Sequence, residues 1–178
     1  MKVPPIVESG MSFDSFDTDR FLYWEKSALR KSFGAGFKAV EFIFIDEDKP
    51  NCFKLLEAKT SVPNPKSAKG SEPFEDYIKE IYCKFADTTE LFASSMLGFK
   101  ADREQELPTS FSASGMTQPE IRYILVVKSA KPEWLRPVSE SLRREMRNKL
   151  RIWNASIIAI SAEHAVKDGY ISQTRGDE

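Results

Sequence analysis

Residues 40–65 read VEFIFIDEDKPNCFKLLEAKTSVPNP. Two apolar runs, Glu41 to Ile45 and Phe53 to Lys59, flank Asp46-Glu47-Asp48-Lys49-Pro50-Asn51, whose residues are turn formers. The stretch predicts an antiparallel β-hairpin. Side chains two apart in a strand share a face, so Glu57 and Lys59 project together beside Phe53 and Leu55. An acid and a lysine closing an apolar strand cost desolvation energy unless something pairs with them, which makes this the place to look for chemistry.

Centring the turn on Lys49 puts Ile45 opposite Phe53 and Glu41 opposite Glu57. Like charges facing each other across a ladder are destabilising, and a divalent cation between them is a remedy, since hard oxygen ligands suit Mg²⁺. A register shifted by one residue would send Glu41 to the other face, and Asp46 is the alternative ligand in that case. A plain structural ion pairing of Glu57 and Lys59 at the end of the strand is the competing explanation.

Upstream of the hairpin, residues 1–12 carry Pro4, Pro5 and Gly10 and read as an irregular lead-in. A helix is predicted from Asp17 or Thr18 to about Phe33, stopping at Gly34, with Glu25 among its apolar positions. Gly34 and Gly36 precede the first hairpin strand, expected over Phe37 to Asp46.

Downstream, a polar loop carries Lys66 and Lys69, and a long helix is predicted from Pro73 to Leu97 on the spacing of Phe74, Ile78, Ile81, Phe85 and Phe92. The segment 99–119 has little periodicity and is expected to be a mobile insertion. Ile121 to Lys128 and Ser156 to Ser161 read as buried strands. With a helix from Pro137 to Trp153 between them, they predict a right-handed parallel crossover. Arg143, Arg144 and Arg147 on that helix form a locally basic face, suited to a phosphate backbone. A merely solvated helix face is the commoner explanation of such a pattern. A short helix and a polar tail follow from Ala162.

The chain has 178 residues, 41% hydrophobic and 30% charged, with a formal net charge of −1. That is one ordinary domain able to bury a core, with no global attraction to nucleic acid. Cys52 and Cys83 give neither a disulfide framework nor a zinc signature, and no apolar run is long enough to span a membrane. A cytoplasmic protein is the expectation. The single histidine, His164, argues against sites built on several imidazoles. If this is an enzyme, carboxylates and lysine are its tools.

A helix, a hairpin whose second strand ends in Glu57-Ala58-Lys59, a further helix and a further strand together resemble the PD-(D/E)XK nuclease-like core. This superfamily includes restriction endonucleases, repair nucleases and prokaryotic defence proteins. The resemblance covers roughly residues 18–97, with 121–161 completing the sheet. It implies an α/β (α+β) fold, a single mixed sheet flanked by helices in one restriction-endonuclease-like domain spanning 1–178.

The resemblance also assigns roles. Glu57 and Lys59 take the (D/E)XK positions, and Glu41, sixteen residues upstream of Glu57, takes the place of the first acid. Glu25 matches an accessory acid found in some branches. Val40 stands where the family usually has Pro. On this basis Glu41, Glu57 and the Ala58 carbonyl are expected to hold Mg²⁺, with Mn²⁺ as a substitute, and Lys59 to orient water or stabilise charge. The implied activity is phosphodiester hydrolysis of nucleic acid, DNA before RNA, in a defence or repair setting. Lys66, Lys69, Arg143, Arg144 and Arg147 are the expected nucleic-acid contacts. Two other readings stay open: an inactive nuclease-like module that binds a partner protein, and a nucleic-acid binder without hydrolysis.

Overall fold

The computed structural model describes residues 1–66, 71–111 and 118–172. Among these, two short strands, β1 (Ile6–Glu8) and β2 (Met11–Phe13), form a hairpin. The main sheet has five strands: β3 (Phe21–Tyr23), β4 (Phe42–Ile45), β5 (Cys52–Ser61), β6 (Glu120–Ser129) and β7 (Ala155–Ser161), in that spatial order. β3, β4 and β5 pair antiparallel, and β5, β6 and β7 pair parallel. The fold is therefore a mixed α/β sheet flanked by helices.

β5 is the central strand, and its alternation sets the layers. Phe53 and Leu55 join Ile43, Tyr123, Leu125, Val127 and Ile157 on one face. That face is covered by α2 (Ser71–Met96), the crossover to β6, through Ile78, Ile81 and Phe85. It is also covered by α3 (Pro132–Glu145), on the crossover to β7, through Val138 and Leu142. Leu56 and Ala58 look the other way, with Phe42, Phe44, Ile124 and Val126. There the β1–β2 hairpin supplies Met11 and Phe13, and α5 (Ala162–Lys167) supplies Ala165. β6, apolar from Tyr123 to Val127 and buried throughout that run, is covered on both faces as parallel strands require.

The β4–β5 hairpin has the expected register, with Ile45 opposite Phe53 and Phe42 opposite Leu56. The parallel crossover is present too, but its helix begins at Pro132 and breaks at Met146 into α3 and α4 (Arg147–Ile152). β4 is shorter than the strand predicted over Phe37 to Asp46.

The helix predicted over residues 18–33 does not form. Phe21, Leu22 and Tyr23 make strand β3 instead, and helix is confined to α1 (Ala28–Lys31), capped by Ser27. The run Phe21-Leu22-Tyr23-Trp24 is apolar at consecutive positions, and its aromatic residues favour strand. β3 serves both faces: Leu22 and Trp24 enter the core under α2, while Phe21 packs with Phe16 and Phe42 on the other side. Nor is the amino terminus irregular. Ser9 and Gly10, at φ 50° and 70°, supply the two left-handed positions of a tight hairpin turn.

Of the segment expected to be a mobile insertion, residues 112–117 lie outside the described residues. Two of its described residues are anchored: the Glu106 carboxylate accepts the Ala28 and Leu29 N–H groups at 3.0 and 2.7 Å, and Phe111 is buried against Phe53 and Phe92. No helix among the described residues is long and apolar enough to cross a membrane.

Leu125, fully buried at the centre of β6, tests this layering. Leu125→Ala is expected to lower stability by about 2–5 kcal/mol, read as a shifted urea midpoint, because the cavity cannot collapse between two covered faces.

Candidate carboxylate and lysine site

The site forms where β4 and β5 part. One step beyond the Phe42–Leu56 pair the ladder ends, leaving Glu41 level with Glu57 and the outer edge of Ala58 without a strand partner. Side chains close this gap. Glu41 Oε2 accepts the Ala58 N–H at 2.8 Å, and the Ala58 carbonyl accepts Ser9 Oγ at 2.9 Å. Glu41 is thereby fixed against β5 on the α2 face, where the alternation also places Glu57 and Lys59.

Glu57 is fully buried and Glu41 is 5% exposed. Lys59 Nζ lies 3.4 Å from Glu57 Oε1 and 2.7 Å from Glu80 Oε1. A second lysine, Lys84, reaches in from α2 and places Nζ 2.6 Å from Glu57 Oε1 and 3.9 Å from Glu41 Oε1. Despite this ion pair, neither oxygen of Glu57 receives a well-directed hydrogen bond among the described residues. The Tyr77 hydroxyl, on the same helix, is also buried without a hydrogen-bond partner among them.

Burial pushes the Glu57 carboxyl well above its ordinary range, and the neighbouring Glu41 charge adds to the rise while Lys84 opposes it. Burial works against the Lys84 charge as well, but Glu57, Glu41 and Glu25 outweigh it and raise its pKa. Lys84 therefore keeps its positive charge beside the two acids. Glu80 is held below the ordinary range chiefly by its hydrogen bond to Lys59. Tyr77 is pushed up by burial first and then by the charges of Glu57 and Glu80.

Glu25 is not helical. It follows β3, its N–H donates to the Glu41 carbonyl at 3.3 Å, and its carboxylate pairs with Lys26 at 3.5 Å. Its charge acts on Lys84 and on Tyr23, so it borders the site. The Tyr23 hydroxyl donates to Glu8 of β1, which brings a further acid to this edge. Asp46 lies at the opposite end of β4 and pairs with the buried Lys54, so it is no ligand here.

The expected nucleic-acid contacts do not converge on this cluster through any bond. Arg143 and Arg144 at the end of α3 and Arg147 at the start of α4 are exposed, with no ion pair or hydrogen bond from their side chains among the described residues. Lys66 is exposed after β5, and Lys69 lies outside the described residues.

Several site residues escape a strand-centred reading. Tyr77, Glu80 and Lys84 follow one another at spacings of three and four beside the apolar stripe of Ile78, Ile81 and Phe85, so one flank of the helix faces β5. That spacing was a usable signal. Ser9 and Glu8 had none, because only hairpin packing brings them near.

The donor set suits a hard cation. Two carboxylates side by side, one with an unbonded buried oxygen, match Mg²⁺, which takes one or two protein carboxylates and completes its shell with water and substrate oxygens. No group of three or more His, Cys, Asp or Glu among the described residues is gathered for a metal, so substrate or water would complete the shell. The Ala58 carbonyl already carries the Ser9 hydroxyl, which leaves it one lone pair.

The raised Glu57 pKa has a defined sign. The native state binds this proton more tightly than the unfolded chain, so its contribution is complete below the ordinary value of 4.5 and is lost as pH rises through the folded value. In chelator, the wild-type urea midpoint should fall as pH is raised from about 4 to 8, and Glu57→Gln should flatten that fall. An unchanged slope in the variant would remove Glu57 as its source.

Family models, curated proteins and solved structures were all compared with the chain, and none matches.

Proposed function

We propose that this chain is a metal-dependent nuclease that hydrolyses phosphodiester bonds at the Glu41, Glu57 and Lys59 cluster. The observation that carries the reading is the juxtaposition of two buried carboxylates and a lysine where β4 and β5 part, with one carboxylate left short of hydrogen bonds. A divalent cation such as Mg²⁺ or Mn²⁺ held by Glu41 and Glu57 would polarise the phosphate and acidify the attacking water.

The chain's own residues do the rest. The Ala58 N–H fixes one oxygen of Glu41. Glu80, ionised and on the rim, holds the partly exposed Lys59 ammonium at the mouth of the site. From there Lys59 can donate to a phosphate oxygen as negative charge builds on it. Arg143, Arg144 and Arg147 offer an exposed cationic strip for a phosphate backbone.

One observation favours a second reading, the partner-binding module without catalysis. Lys84 already supplies a positive charge to the carboxylate pair, so the fold can stand without a divalent ion.

Plasmid, linear duplex, single-stranded DNA and RNA, each with Mg²⁺ or Mn²⁺ and a chelator control, separate the two. Wild type should cut at least one of them. Glu57→Ala and Lys59→Ala should each lose at least about 100-fold in rate while remaining folded by circular dichroism. Absence of metal-dependent cutting on every substrate would favour the partner-binding module. For the cationic strip, Arg143→Ala and Arg147→Ala should each reduce the slope of log binding constant against log salt by about one.

A further inference from the structure

The two lysines of the site stand in different relations to the acids. Lys59 lies closer to Glu80, on the rim, than to Glu57, at 2.7 against 3.4 Å. Lys84 is 13% exposed, 2.6 Å from the fully buried Glu57 and 3.9 Å from Glu41. It is the only lysine within 4 Å of both carboxylates among the described residues. Its ammonium therefore does for the pair what any bound cation would do: it offsets the repulsion that their register imposes. A lysine is suited to giving up such a place, being a point charge on a flexible four-carbon stem. A third acid is within electrostatic reach of it, the partly exposed Glu25.

We propose that Lys84 is a resident counter-ion of the Glu41 and Glu57 pair, holding the carboxylates together in the resting protein and leaving Glu57 when a divalent cation binds. The proposal rests on the cation-binding reading above. It makes Lys84 a positioning residue rather than a catalytic one. Without Lys84 the pair would carry uncompensated charge in the core, which is strongly destabilising. With it, an incoming cation must displace a bound ammonium, and affinity is lowered accordingly.

The test is Mn²⁺ titration calorimetry and thermal unfolding of wild type, Lys84→Met and Lys84→Gln. In chelator both variants should melt below wild type. Both should bind Mn²⁺ at least about tenfold more tightly than wild type, since there is no like charge to displace. Mn²⁺ should also raise their melting temperatures by more than it raises that of wild type. A purely structural lysine predicts the lower melting temperature but not the tighter binding. If a variant is unfolded in chelator, Mn²⁺ should refold it, and failure to refold would overturn the proposal. Mn²⁺ binding by folded variants that is no tighter than by wild type would overturn it as well, leaving the cation-binding reading intact. No uptake of millimolar Mn²⁺ by wild type or by either folded variant would sink that reading itself, and this proposal with it.

Discussion

Strand β5 is covered on both faces and loses its β4 partner after Leu56, and the site follows from that single circumstance. A buried strand cannot leave backbone groups unbonded. At Ala58 the missing partner is replaced by the Glu41 carboxylate and the Ser9 hydroxyl. The first substitution draws an acid into the core beside Glu57. The second ties the amino-terminal hairpin to the same point, so the backbone requirement of one residue organises elements from three parts of the chain.

Electrostatics then set the rest of the cluster. Glu57 and Glu41 together bring more negative charge into the core than its low polarity tolerates. Lys84 answers from α2, and Glu80, four residues earlier on that helix, draws Lys59 outward. Two acids, two lysines and a rim carboxylate thus form one network rather than a set of independent pairs. Replacing any member changes the balance for all of them. The remaining charge imbalance sits on Glu57, whose oxygens lack well-directed donors among the described residues. That imbalance is the feature most useful to a cation-dependent enzyme and most costly to a protein without one.

Much of this was legible in residues close in sequence. The hairpin and its register follow from the apolar alternation around Asp46–Asn51, which placed Glu41 level with Glu57 and Lys59 on the same face. The long helix after it and the parallel crossover to β7 also follow from periodicity. The region before the hairpin departs from its sequence expectation, because Phe21-Leu22-Tyr23-Trp24 fits a helical stripe as readily as a two-faced strand. The sheet edge presented by β4 decided between them.

The sequence by itself determined the mixed α/β pattern and the Glu-X-Lys strand end, and it offered the facing acids as one of two registers, since these depend on strand period and turn chemistry over some twenty residues. Only the tertiary structure decided which lysine neutralises those acids, that Ser9 holds the Ala58 carbonyl, and that Glu25 borders the site from a strand end. The physical reason is range. Alternation and turns are properties of neighbouring residues, whereas the partner of a buried charge is whichever group the packing of distant elements brings within about 4 Å.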